Sequence, residues 1–533
     1  MASIVDVAIV GLGPVGATLA ALLGRAGVST LVIDKADDIF PLPRAIGFDH
    51  EIMRVMQNLG LAETIAPYVV SYRPTEYRGV DGRAIARYAS LPAPYPQGWE
   101  PSFVFTQPPV EHAIRALLET LPSVEVRLST ELRDIIDRGD HVELHTLDAS
   151  GAPESLRARY AVGCDGGTSL VRKLLAIRFE SLDFDEPWLV VDMVVNEDKL
   201  GKLPENIIQY CDPERPTTFV VGPGNHRRWE LMLLPGEAPE TMSQEDVIWR
   251  LLGRWLTPED ASLWRAATYV FHALVAEEWR KGRVFLAGDA AHMTPPFMAQ
   301  GMCQGIRDAA NLAWKLALVL SGKAGDGLLD SYEAERRPHV RATTETAKAL
   351  GRIICERDPD RAKARDARMR AEFGDPPRVQ FRQNLIPPLA AGAFPPGQEA
   401  PVGTRFPQPR IMTDARVHRL DDVAGDRFRL VLAAGVSALD LPAALRQATA
   451  HLDAHILCLG LKQQPPVEAS RAIVLHEADG LLEGWMRDHG VVAVFVRPDH
   501  YVFAAARTVA DLEDMASQIA TQLHLEPGAA SAC

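Results

Sequence analysis

The chain has 533 residues, 47% of them hydrophobic, and a formal net charge of −14. That length predicts two or three domains, and acidity without any basic run argues against nucleic acid as a partner. No stretch approaches the roughly 20 apolar residues of a membrane span, and no charged leader or removable apolar segment opens the chain, which predicts a cytoplasmic protein. The six cysteines (Cys164, Cys211, Cys303, Cys355, Cys458, Cys533) show neither CxxC nor metal-ligand spacing. Free thiols and no bound metal are expected.

The apolar run Val5 to Val10 predicts a first strand. It leads into Gly11-Leu12-Gly13-Pro14-Val15-Gly16, a helix-like stretch Ala17 to Ala26, and a second strand-like run Ser29 to Ile33 that ends in Asp34 and Lys35. Strand, glycine turn, helix, strand and acid are the full context of a dinucleotide site. The first glycine permits the tight turn, the second lets backbone approach a pyrophosphate, the third lets helix and strand pack closely, and the acid receives a ribose hydroxyl.

A helix is predicted over Glu51 to Leu59, before Gly60. From Tyr68 to Glu100 the sequence turns short, polar and Pro-rich, which reads as an excursion from the first domain. Gln107 to Leu121 reads as a helix, followed by strands at Val124 to Arg127 and His141 to Leu147. Residues 176 to 275 alternate apolar and polar in strand fashion, predicting an antiparallel sheet that serves as a substrate platform. The strand-like run Val284 to Ala287 then feeds Gly288-Asp289-Ala290-Ala291-His292, Pro295-Pro296 and Gln300 to Gly305, before an amphipathic run from Arg307 to Leu320. Glycines and prolines there let backbone approach a flat anionic ligand. Helical sequence continues from Leu328 to about Phe373. A Pro/Gly-rich linker near residues 390 to 405 precedes a compact α/β domain with strands expected at Phe428–Val431, His455–Leu459, Val491–Val496 and Tyr501–Ala504. A frayed tail is expected from Glu526.

A third motif, Gly163-Cys164-Asp165-Gly166-Gly167 with Ser169 and Arg172, completes an ordered set with the two glycine segments. In these motifs residues 1 to about 375 resemble the class A FAD-dependent aromatic hydroxylases. Pro43-Arg44-Ala45, Gln107, Asp308 to Leu316 and Tyr332 to Pro338 match further elements of that family. The wording from Gly288 to Leu316, and Cys211 to Glu237, are most similar to its 3-(3-hydroxyphenyl)propionate hydroxylase branch. The C-terminal domain resembles the thioredoxin-like appendage of that branch, without the CxxC.

The resemblance implies an α/β fold of the p-hydroxybenzoate hydroxylase type. A Rossmann-like FAD-binding domain would comprise residues 1–75, 101–175 and 276–390. An antiparallel substrate-binding sheet would comprise residues 76–100 and 176–275, and the thioredoxin-like domain residues 400–533. It implies FAD, O2 and NADH or NADPH as transient co-substrate, and a small phenolic substrate, such as a phenolic acid, hydroxylated through a flavin C4a-hydroperoxide. A homodimer is compatible with it. The cofactor would be held by Gly11, Gly13, Pro14, Val15, Gly16, Asp34, Lys35, Arg44, Gln107, Asp165, Gly288, Asp289, Pro296 and the backbone of Gly301, Met302 and Cys303. A helix starting at Gly301–Cys303 would face the reduced flavin's negative edge, and Pro296 would line the ring where oxygen reacts and help exclude water.

Asp165 has two open readings, direct cofactor contact or anchorage of its own loop through Arg172 and nearby backbone. His292 is expected to make a structural hydrogen bond rather than act as a base, and Cys303 to contribute backbone rather than its thiol. Substrate candidates are Tyr210, Gln209, Arg228 and His50, because a phenol needs a group to take or share its proton. The rival readings are another FAD enzyme on the same fold, such as a halogenase or reductase, and a non-catalytic flavin-binding regulator. The Trp-x-Trp-x-x-Pro signature of halogenases is missing.

Overall fold

The computed structural model describes residues 4–397, 399–414, 416–460 and 472–526. Val5–Val10 is the centre of the first sheet. It pairs in parallel with Thr30–Ile33 on one side and with Pro153–Gly163 on the other. Val7 to Val10 are all buried, as a strand covered on both faces requires. Val124–Arg127 and Val284–Leu286 extend the sheet in parallel at either flank. Val142–Leu147 and Glu131–Asp137 pair antiparallel beside Pro153–Gly163.

The helix Pro14–Arg25 begins with proline at a position where its missing N–H costs nothing. It packs on the helix Gly301–Leu320. Two glycines make that approach possible: a Cβ on Gly305 would fall 2.4 Å from Val15 Cγ2, and one on Gly288 would fall 2.9 Å from the same atom. The amphipathic pattern of the latter helix begins at Arg307, and the helix itself starts at Gly301, where the family resemblance places it.

The second sheet has nine strands, in the order His292–Met293, Ala261–Ala276, Phe179–Val195, His226–Met232, Thr217–Val221, Ile207–Tyr210, Thr75–Arg78, Ala84–Ala89 and Val379–Phe381. The polar excursion after Tyr68 thus contributes a hairpin to this platform. One face packs Trp229, Leu231, Phe219 and Ile208 against the helix Glu245–Leu252. The other face turns toward the first sheet. It carries Arg228, whose guanidinium donates to the carbonyls of Arg44 (2.8 Å) and Pro43 (3.3 Å).

The C-terminal sheet runs Ala472–Leu475, His455–Leu459, Arg429–Leu432, Ala493–Val496, Val502–Ala506, with Ala472–Leu475 unforeseen from sequence. It docks on the first part through buried ion pairs. Arg54 holds Asp421 at 2.6 Å, Arg497 holds Glu335 at 2.8 Å, and Tyr501 donates to Glu51 at 2.9 Å. Among the described residues no helix is long and apolar enough to cross a membrane.

Candidate active site

A long cleft of about 910 Å³ opens above the C-terminal ends of the parallel strands. Gly11, Gly13, Pro14, Val15, Asp34, Lys35, Arg44, Gln107, Asp165, Asp289, Pro296, Gly301 and Met302 all line it. Three predicted residues do not. Gly16 and Gly288 lie behind the lining, and Cys303 is buried with its thiol directed to the Ala299 carbonyl at 3.5 Å. Burial pushes that thiol up, beyond any nucleophilic range.

The glycine turn is built for close approach. Gly11 has φ +103°, and a Cβ there would fall 2.5 Å from the Cys164 carbonyl oxygen. On Gly16 a Cβ would fall 2.0 Å from Gly11 O. On Gly13 it would meet no protein atom within 4 Å, so that position is open toward the cleft. Asp34 closes the turn, with its carboxylate accepting from Leu12 N at 2.6 Å and Ala36 N at 2.8 Å. Gln107 Oε1 accepts the Ala45 N–H at 2.5 Å and the Arg44 N–H at 3.1 Å, presenting the exposed Arg44 side chain at the cleft.

Asp165 caps its own helix. It accepts from Ser169 Oγ at 2.5 Å, Leu170 N at 2.7 Å and Val171 N at 3.1 Å. Asp165 thus anchors its loop through Ser169 and backbone, and it also lines the cleft. Arg172 donates instead to the Ile177 carbonyl at 3.1 Å. His292 is fully buried, stacked on Trp279, with Nε2 2.7 Å from Asp308. It is a structural partner.

The loop Pro296–Met298 forms the far wall of the cleft and ends at Ala299 with φ +54°, left-handed backbone that is strained for a residue with a Cβ. The helix Gly301–Leu320 starts directly after it. Its first N–H groups have no acceptor within the helix, and no side chain caps them. Beyond this loop lies a smaller chamber, walled by Phe48, Phe103 and Phe297 with Tyr72, Tyr77 and Tyr88. His50, Arg382 and Arg405 also reach it.

His50 is thus the one substrate candidate in the chamber lining. Burial lowers it to about 4, so it is neutral at pH 7. The other expectations need correcting. Arg228 lines neither space, because Asp192 and the carbonyls of Pro43 and Arg44 occupy its guanidinium. Tyr210 sits away from both, its hydroxyl accepting from Trp255 Nε1 at 3.3 Å with Arg254 against its ring. Gln209 lies buried in the platform, accepting from Thr218 Oγ1 at 2.6 Å. Sequence reading missed Tyr72, Tyr77, Tyr88 and Arg382, which come from the polar excursion and from the stretch just before the linker. It also missed the buried Asp49–Glu51–Arg307 cluster. Burial pushes Glu51 up, but Arg307 and Arg405 more than offset it and hold the carboxyl far below its usual range.

A dinucleotide cleft joined across one loop to an aromatic chamber, over an antiparallel platform, defines a flavin-dependent monooxygenase. The FAD binding domain family matches residues 4–347, and the HcaD C-terminal domain family matches residues 403–522. The probable NADH-specific resorcinol 4-hydroxylase of Rhodococcus jostii (strain RHA1) is 38% identical over 524 residues, covering 97% of this chain and 94% of that protein. The 3-(3-hydroxy-phenyl)propionate/3-hydroxycinnamic acid hydroxylase of Mycobacterium sp. (strain KMS) is 34% identical over 98% of this chain and 92% of its own. Among solved structures, the flavin-dependent monooxygenase PieE with FAD and substrate superposes with a TM-score of 0.81 at 21% identity, covering 98% of this chain and 99% of that one. The chain belongs to the FAD-dependent aromatic hydroxylases. It is an FAD enzyme, and the halogenase, reductase and regulator readings gain no support from these relatives.

Proposed function

We propose that this hydroxylase acts on a single-ring phenol with a second polar substituent meta to its hydroxyl, using NADH as electron donor. The observation that carries this reading is the aromatic-walled chamber, which lies across the Pro296–Met298 loop from the cleft. The two relatives' names supply the ring pattern, since resorcinol and 3-(3-hydroxyphenyl)propionate both carry a substituent meta to a phenolic hydroxyl. Arg382 supports an acidic substituent. It donates to Tyr72 Oη at 2.8 Å and the Met298 carbonyl at 2.9 Å, and has no carboxylate partner among the described residues.

FAD fits the cleft by its donors. Gly13 would leave room for a pyrophosphate, Asp34 would take the ribose, Arg44 would offer a cation, and the uncapped N–H groups of Gly301, Met302 and Cys303 would stabilise negative charge on the ring. Bound there, FAD supplies the passage of electrons from nicotinamide to oxygen. Pro296 and Phe297 would help keep water from the bound ring. We assign the first sheet and its helices to cofactor binding and the nine-stranded sheet to the substrate, and place the enzyme in the cytoplasm, in keeping with its free cysteines.

The test is a panel of phenols assayed for stimulated NADH oxidation, with products identified by mass. Meta-substituted phenols, phenolic acids foremost, should stimulate turnover and gain one oxygen. Peroxide release without hydroxylated product across the panel would overturn the reading.

A further inference from the structure

On the platform strand His226–Met232, Trp229 and Leu231 point into the core beneath the helix Glu245–Leu252, so Arg228, Glu230 and Met232 face the other way. Arg228 grips the Arg44 carbonyl on that side. Met232 is the cross-strand neighbour of Trp188, whose ring centroid lies 5.7 Å from that of Phe297. Glu230 lies between them. That face turns toward the Pro43–Arg44 segment and Phe297, and Glu230 lies just behind the lining of cleft and chamber. Thr218 is its cross-strand neighbour, Gln209 is the neighbour of Thr218, and Tyr77 of the chamber wall is the neighbour of Gln209. A polar row thus crosses an otherwise packed face toward the chamber.

We propose that Glu230 is the group that takes the proton of the substrate's ring hydroxyl, with Thr218 and Gln209 continuing the polar path on its chamber side. This rests on the hydroxylase reading above. In the step, the O–H bond breaks, the proton passes to a Glu230 carboxylate oxygen, and the electron pair stays on the ring oxygen. Electron density then rises at the ortho and para carbons, which accept the electrophilic oxygen.

Glu230 is 7% exposed and makes no hydrogen bond or ion pair with any described residue. A largely buried carboxyl that no hydrogen bond or ion pair holds is unusual in a packed sheet. The charged groups on its face are Arg228 and Asp192, themselves paired at 2.7 Å, with Arg265 and His226 also on Asp192. Burial raises the Glu230 carboxyl to about 7, with Arg228 opposing and Asp192 adding to the rise. A group in that range is both available as a base and able to hold a proton at neutral pH.

Infrared difference spectra of the FAD-loaded enzyme should show a protonated-carboxyl band that titrates near neutrality and vanishes in Glu230→Gln. With a phenol that the wild type hydroxylates, Glu230→Gln should keep its FAD and lose hydroxylation by about 100-fold, together with the neutral limb of the pH profile. Glu230→Asp should recover part of both. A wild-type rate and pH profile in Glu230→Gln, or no such carboxyl band in the wild type, would overturn the proposal. A wild type that turns over no phenol while showing the band would instead overturn the hydroxylase reading.

Discussion

Asp308 Oδ2 accepts from His292 Nε2 at 2.7 Å and from the Gly288 N–H at 3.1 Å. Asp308 belongs to the helix whose first turn faces the cleft, so one helix presents its N-terminus to the cleft and also pins the turn that carries Asp289 there. Arg336 binds the second oxygen at 2.8 Å, and all three side chains are buried.

Asp308→Ala would leave Arg336 buried without its counter-charge and should cost about 3–5 kcal/mol in urea unfolding, with reduced flavin content as purified. Asp289→Ala removes a side chain that only faces the cleft. It should weaken FAD by roughly tenfold or more in a fluorescence titration while leaving apo-protein stability near wild type.

The two glycines of the turn should separate folding from binding. Gly16→Ala places a Cβ against the Gly11 carbonyl and should lower the melting temperature even without cofactor. Gly13→Ala meets no protein atom, so melting of the apo-protein should be unchanged while FAD affinity drops. Equal melting temperatures for the two variants would contradict this assignment.

Asp192 gives a signed pH prediction. Burial raises its carboxyl, but Arg228 and His226 together hold it at about 2, below its ordinary 3.8. Its stabilisation is therefore fully present above about pH 4 and lost as pH falls through about 2, on the order of 2 kcal/mol. Asp192→Asn should flatten that acid limb when stability is followed against pH.

Arg497 fixes the C-terminal sheet to the helix Asp330–Ile354 through Glu335, beside Lys315 and Asp499. Arg497→Ala should strand a buried cluster of uneven charge, costing about 3–5 kcal/mol. Limited proteolysis should then cut the linker between residues 387 and 403 faster than in the wild type.

Much of the cofactor cleft was legible because its parts are local. Gly11 to Gly16, Asp34 and Gly288-Asp289 act through turn geometry and short spacing, which sequence displays directly. Apolar periodicity shows the helix Gly301–Leu320 only from Arg307, and the start at Gly301 comes from the family resemblance, since Gly301 and Gly305 read as loop by propensity while packing on Val15 requires glycine at 305. Arg228 was misread for a related reason. Its polarity suggested a substrate contact, but only the folded chain shows Asp192 and two carbonyls already around it.

The sequence by itself determined the dinucleotide turn, the order of sheet types and the three motifs of the family, because each depends on residues close together along the chain. Tertiary structure alone decided the chamber and the polar row beneath it. Tyr77, Gln209, Thr218 and Glu230 become neighbours only through the register of four strands. Arg382 and Arg405 reach the same space only because the chain after residue 373 folds back over the platform. No local pattern records which strands pair, so the side chains that meet the substrate are set by long-range packing.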